Sequence, residues 1–498
     1  MNALSRDDIP VLSGGAMWIA AIILAVSNFV VVLDMTIANV SVPHIAGGLA
    51  VSPLEGTYVI TSYAVAEAIA VPLTGWLVGR FGAVRTFSLC VLLFGVFSTL
   101  CGLAHELSVL VAMRAFQGLS GGPLMPLTQT LLMRIFPGEK KTTAIAIWGT
   151  TTLLAPIFGP IMGGYICDNW SWPFIFYINI PITIICGFFA TRVLKGCETE
   201  TFKNPIDFVG LGLLVIWVAS LQLMLDEGKN YDWFESTYIV TLLIIAILGF
   251  IAFIIWELTE KQPIVDLRVF RHWGYFVSVG TLSLTFGAFF GSIVLTPLWL
   301  QSSMGYTATW SGLTTATLGM LAVLVAPIVA RLSSKVDPRI LVFFGITWMG
   351  ILTLFRSFAA TNITQENIAI LMLIQGIGMP FFFLPLTGLA LSSVDPHEIA
   401  SAAGLMSFLR TLSGAFATSI VTTSWDNRTT YFRSELVSIL PENMEIQKPI
   451  LDHIVQGQSI MLATNYIFLI SALVLILAGL CIWLVPKPKH EISSTAAH

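Results

Sequence analysis

Residues 155–164 read APIFGPIMGG, set inside an apolar run from about 144 to 166. Two Pro and three Gly inside one helix carry a heavy propensity cost in water. On a helix, Ala155, Gly159 and Gly163 stack at i, i+4 as a flat stripe, and Pro156, Pro160 and Gly164 form a second stripe beside it. Smooth stripes let a neighbouring backbone approach closely, as in small-xxx-small packing of membrane helices. Each Pro also removes a backbone donor and leaves a place for the helix to bend. Two readings stand: packing alone, or a helix lying at a moving seam.

The surrounding chain selects the solvent. Of its 498 residues, 56% are hydrophobic and only 10% charged, whereas a soluble domain carries roughly a quarter charged residues. The expectation is an all-α polytopic membrane protein. A net charge of −4 offers no basic surface for nucleic acid. Asp7 and Asp8 precede a first apolar run too long for a signal peptide, so that run is expected to stay as a helix. Six scattered cysteines form no CxxC pattern, and His44, His105, His397 and His453 make no metal spacing. No metal site and no cofactor are expected. No GxxxxGK[ST] phosphate loop provides for ATP, and the spans hold too few polar groups to assemble an enzyme active site.

Crossing the hydrocarbon takes about 20 apolar residues. Fourteen stretches qualify: 16–38, 57–78, 86–104, 108–132, 143–166, 174–194, 207–226, 237–256, 274–299, 311–331, 340–358, 367–391, 398–423 and 464–485. With both termini inside, the inner loops and tails hold 17 of the 24 Lys and Arg, Arg6, Lys140, Lys203 and Lys489 among them. The outer loops hold five, Lys229, Arg356, Arg428, Arg433 and Lys448, while Arg114 and Arg410 fall within spans. That bias orients the termini to the cytoplasm. Phe116-Gln117-Gly118-Leu119 followed by Pro126-Leu127-Thr128 is echoed by Ile374-Gln375-Gly376-Ile377 and Pro385-Leu386-Thr387. Related halves are a transporter device. The echo fits six plus two plus six helices: an N-terminal half (1–200), an extra hairpin and linker (201–272), and a C-terminal half (273–498) with an outer loop at 424–463.

Charges inside membrane helices are costly and point to function. Asp34 lies near the outer end of the first span, either working there or snorkelling to the surface. Arg114 sits at equal depth in the fourth span, so the two are able to interact. Glu67 lies about ten residues into its span, roughly 15 Å deep by helix rise. It serves as a proton site, a ligand for cationic substrates, or half of a structural pair. Arg410 has opposite charge and similar depth, and a Glu67–Arg410 pair across the seam is expected. Asp226 and Glu227 read as outer-surface residues.

Several of these stretches resemble one family. GPxxGG at 159–164 resembles the antiporter motif of major facilitator drug exporters, with Ala155 where Gly is usual. LDMTIANVSVP at 33–43 resembles the LDxTIVNVALP signature of fourteen-helix drug:proton antiporters, the EmrB/QacA-like group. RAFQG at 114–118 matches the family's RxxQG, and WSWPFIFYINIP at 170–181 its WxWxFxxNxP order. The loop with Gly75, Arg80, Gly82 and Arg85 resembles the family's cytoplasmic GxLaDrxGrk motif, with Gly79 in the acid position. In the major facilitator fold so implied, the second and thirteenth spans of this layout meet at the seam. The resemblance implies a proton-driven efflux antiporter of small lipophilic drugs, in a bacterial inner membrane, with Asp34 protonated in the cycle. It also implies a periplasmic adaptor and an outer-membrane channel (EmrA/TolC-like) as partners. The alternative is a major facilitator importer or symporter of a nutrient.

Overall fold

In a bilayer no water is available to the backbone, so each apolar stretch closes its own hydrogen bonds as a helix. The structure, a computed structural model, describes residues 12, 14–136, 141–201, 205–333, 335–395, 398–439 and 448–487. Arg6, Lys140, Lys203, His397 and Lys489 lie outside the described residues. The chain opens with α1 (Gly14–Gly48), α2 (Pro53–Gly56), α3 (Tyr58–Phe81), α4 (Ala83–Gly102), α5 (Leu107–Gly121), α6 (Leu124–Ile135), α7 (Lys141–Asn169), α8 (Phe174–Tyr177) and α9 (Asn179–Val193). A hairpin of α10 (Phe208–Glu227) and α11 (Thr237–Thr259) follows. Then come α12 (Trp273–Ser302), α13 (Ala308–Leu332), α14 (Pro338–Arg356), α15 (Gln365–Gln375), α16 (Gly378–Ser392), α17 (Ile399–Ile439) and α18 (Lys448–Cys481).

Among the described residues, thirteen helices are long and apolar enough to cross a membrane. The expected span at 108–132 differs: it is two helices, α5 and α6, and neither suffices alone. They meet at Gly122-Pro123, where the ladder continues through Gly122 N–H to Gly118 O and Leu127 N–H to Pro123 O. The repeated Gly does the same work twice. A Cβ on Gly118 would run into the Tyr63 carbonyl of α3, and one on Gly376 into the Leu318 carbonyl of α13.

α1 to α9 pack chiefly on one another, and α12 to α18 do likewise. The two groups meet where α7 lies antiparallel to α13, α3 against α17, and α1 against α12. The motif helix divides its two stripes between these groups. Gly159 and Gly163 face Thr36 and Ile37 of α1 in their own group, whereas Gly164 meets Ala308 and the Pro160 carbonyl meets Gly312 of α13 in the other. Asp168, at the end of α7, accepts the Ala308 and Thr309 N–H groups at 3.1 and 2.6 Å. A carboxylate there satisfies the orphan donors that open α13 and complements its dipole.

Two expectations are corrected. The stretch 424–463 is not a loop at its flanks: α17 runs on to Ile439 and α18 starts at Lys448, so both helices extend past the bundle. Asp226 is not a surface residue. It is 9% exposed, accepts from Thr61 Oγ1 (3.0 Å), Gln222 Nε2 (2.8 Å) and Ser419 Oγ, and thereby ties α10 to both α3 and α17. Near a helix end, one turn of depth decides between solvent and core, and only the neighbours set it. Asp226→Ala removes the shared acceptor of three buried donors. Thr61 Oγ1 keeps the Tyr58 carbonyl and Gln222 Nε2 keeps Ser419 Oγ. Ser419 Oγ loses its acceptor, at about 1–3 kcal/mol for a donor left unsatisfied. The expected result is a clear drop in melting temperature of the detergent-purified protein, with Glu227→Ala nearly neutral. Equal melting of wild type and Asp226→Ala counts against this tie.

Candidate functional site

The first-span signature places Asp34 on the side of α1 that faces α3, α5 and α9. Its side chain is fully buried. Arg114 Nη1 of α5 donates to Asp34 Oδ2 at 2.5 Å, while Gln117 Nε2 and Asn179 Nδ2 donate to Oδ1 at 3.1 and 2.7 Å. Arg114 also donates to the Val59 carbonyl at 3.0 Å and to Gln117 Oε1 at 2.8 Å, and its guanidinium stacks on the Tyr63 ring at 4.2 Å. The equal depth of Asp34 and Arg114 inferred along the chain is thus a direct ion pair. Sequence reasoning missed Asn179 and Gln117 as its partners, although both stand in quoted motifs.

The repeated half holds a counterpart with different chemistry. Arg356, expected in an outer loop, is buried at the end of α14. It donates to Thr296 Oγ1 of α12 at 2.6 Å and to Gln375 Oε1 at 3.4 Å, and stacks on Phe468 at 4.1 Å. Gln375 echoes Gln117, so each half buries an Arg on its repeated Gln. Arg356 meets the hydroxyl of Thr296, whereas Arg114 meets the carboxylate of Asp34.

Between the two groups lies a cavity of about 180 Å³, walled mainly by Phe, Met and Pro side chains with four Thr among them. Glu67 and Arg410 line it from α3 and α17, and Pro156 and Pro160 line it from the motif helix. Glu67 and Arg410 lie within electrostatic reach but form no ion pair within 4.0 Å. Glu67 Oε2 and Arg410 Nε have no hydrogen-bond partner, and the Arg410 guanidinium faces Phe286 and Phe383 at 5.5 and 5.6 Å. The seam pair expected from the sequence is two charges on one cavity wall rather than a closed bridge.

The other motif residues lie apart from this cavity. Gly82 takes φ +91° between α3 and α4, and a Cβ there would strike Glu198. Glu198 accepts the Val84 and Arg85 N–H groups at 2.9 and 3.2 Å at the start of α4. Gly75 and Arg80 are exposed. Among the described residues, His272, Asp395 and Glu398 offer ligand atoms within 4.8 Å of one another. Arg271 already pairs with both carboxylates at 3.2 and 2.9 Å, which makes the set an ion-pair cluster.

Residues 24–418 match the Major Facilitator Superfamily. The chain is 43% identical over 433 residues to the multidrug export protein EmrB of Haemophilus influenzae, covering 87% of this chain and 85% of the relative. It is 40% identical over 496 residues to EmrB of Escherichia coli K12, covering 96% and 97%. The fatty acid resistance protein FarB of Neisseria gonorrhoeae is 39% identical, with 97% and 99% covered. In fold, the chain is similar to a bacterial homologue of the human lysosomal transporter Spinster in an inward-facing, unoccupied conformation (TM-score 0.63, 14% identity, 95% and 98% covered). A POT family transporter in complex with 5-aminolevulinic acid gives TM-score 0.66 at 15% identity, with 94% and 96% covered. With a titratable pair sealed in one half and an apolar cavity between two groups of helices, the chain belongs to the major facilitator superfamily, in its EmrB-like drug:proton antiporter family.

Proposed function

We propose that this protein exports lipophilic drugs in exchange for protons by alternating access. The observation that carries the reading is the Asp34–Arg114 pair buried in the first half, in contrast to Arg356 of the second, which meets the hydroxyl of Thr296. Protonating Asp34 removes the charge that Arg114 answers and loosens Gln117 and Asn179 with it. The helices those residues hold, α1, α5 and α9, then gain a second arrangement, while drug binding in the cavity favours the first. The multidrug export proteins among the relatives support export over nutrient uptake.

On this reading α5 and α6 together count as one crossing, which makes fourteen in a six, two, six layout with both termini cytoplasmic. The halves are 1–200 and 273–498, with 201–272 between them. The membrane is the bacterial inner one. The resemblance to the EmrB/QacA-like group supports a periplasmic adaptor and an outer-membrane channel as partners at the outer ends of the helices. Polar ties between the halves support an outer side closed in the present arrangement: Asp168 on α13, Gln301 Nε2 on the Val40 carbonyl at 2.8 Å, and Asp226 between Thr61 and Ser419.

Everted vesicles with an acid interior provide the test. Adding a neutral lipophile that carries no protons of its own should discharge the pH gradient, read with an acridine dye, and load the compound inside vesicles that hold the protein. It should do neither in vesicles without the protein. Compound loading that ignores the gradient would sink the coupling, and loading that requires ATP would sink the family mechanism. Gradient-driven movement in the opposite direction would favour the importer.

A further inference from the structure

Among the polar side chains that line the central cavity, one neutral amide has neither its donor nor its acceptor met by the protein. Asn39, on α1 and 2% exposed, lines the cavity, and both its Nδ2 and its Oδ1 lack a hydrogen-bond partner. The other asparagines of the interior each have at least one end of the amide paired, although Asn179 Oδ1 and Asn465 Oδ1 are unpaired. Asn28 Nδ2 donates to Thr151 and Thr152 at 2.9 Å each, and its Oδ1 accepts from Thr128 at 3.4 Å. Asn179 Nδ2 donates to Asp34 and Ser98, and Asn465 Nδ2 to the Ala359 carbonyl at 2.7 Å. Among the described residues Asn39 is the only asparagine with both ends of its amide buried and unsatisfied. Buried polar groups left unpaired are costly and rare, and each one asks for an explanation.

We infer that Asn39 is a specificity-determining residue, selecting lipophiles that carry one group able both to donate and to accept a hydrogen bond. This rests on the efflux reading and deepens it. A hydroxyl meets the requirement: it accepts from Nδ2–H and donates to Oδ1. The walls fix the rest of the ligand. Phe286, Phe289, Phe290, Phe382 and Phe383 supply flat apolar surface, so the favoured ligand is an aromatic body with a single hydroxyl. Glu67, Arg410 and the Trp148 indole N–H also present unpaired atoms to this cavity, but the first two are opposite charges within reach of each other and the indole only donates. The amide is neutral and keeps its demand at every pH. Its neighbour Val40 is held through its backbone by Gln301, so a change of the Asn39 side chain leaves that tie between the halves intact.

A pair of compounds differing only in the donor tests this: 1-naphthol and its methyl ether, 1-methoxynaphthalene. Binding to the purified protein is followed by tryptophan fluorescence, and gradient-driven loading is followed in everted vesicles. Wild type should prefer the naphthol by about tenfold, the scale of one satisfied buried group. Asn39→Leu, similar in volume and apolar, should lose that preference and keep the ether, whose binding reports that the variant folds. Asn39→Ser, which retains a smaller donor and acceptor, should recover part of the preference. Equal affinity for the two compounds in wild type overturns the assignment, as does a preference that survives in Asn39→Leu. If Asn39→Leu loses both compounds, Asn39→Ser decides: a recovered naphthol preference supports the role, and loss of both overturns it. Because binding is read on purified protein, it judges Asn39 even where no compound is pumped. Absence of gradient-driven loading of any lipophile instead counts against the efflux reading.

Discussion

Asp34→Asn should abolish uphill, gradient-driven efflux while leaving downhill equilibration of the same drug in place. The substitution keeps the shape of the side chain but removes the charge and the proton site. Asp34 satisfies three donors with two oxygens, whereas asparagine offers one carbonyl oxygen and adds donors of its own. Its Oδ1 is able to serve Gln117 and Asn179, and its amide then faces Arg114. The variant is therefore expected to fold with reduced stability and to stay fixed on one side of the proton cycle. The split between uphill and downhill flux separates this from a structural defect, which would lower both. Arg114→Met should be harsher. It leaves a carboxylate buried without its cation, which costs about 3–5 kcal/mol, and little folded protein is expected in detergent. Uphill efflux at wild-type rate in Asp34→Asn would remove this pair from the mechanism.

Gly312→Ala should open the seam between α7 and α13 and cut transport by more than about tenfold. The new Cβ would drive into the Pro160 carbonyl, which is backbone and cannot step aside. Overpacking of this kind costs about 1–3 kcal/mol, and the strain falls on the arrangement in which the two helices touch. The same holds for Gly164→Ala, whose Cβ meets the Ala308 carbonyl and the Thr309 Cα. Both changes should raise labelling of Thr309→Cys by a membrane-impermeant maleimide in an otherwise cysteine-free background. Gly280→Ala, with nothing within 4 Å of the new Cβ, is the control and should leave labelling and transport unchanged. Labelling equal to the control would mean that this seam does not move.

Much of this was legible along the chain because it rests on local periodicity and on the cost of charge in hydrocarbon. Long uncharged runs meant membrane helices. The i, i+4 spacing of small residues meant a close approach, and both stripes of 155–164 found a backbone to meet. Asp34 and Arg114, placed at one depth by counting residues from their helix ends, are in contact. The Gln117/Gln375 echo identified two positions that do equivalent work.

What the chain order left open depends on neighbours contributed from far away. Glu198 satisfies backbone donors at the start of α4 from more than 110 residues away. Asp226 and Arg356 stand at helix ends, where hydropathy changes too gradually to separate surface from interior, and both are buried. Glu67 and Arg410 share charge complementarity and depth, yet the width of the cavity keeps them from closing a bridge. Depth in a membrane helix follows from counting residues at 1.5 Å each. The direction in which a side chain points follows from packing between helices remote in sequence, and only the assembled bundle determines it.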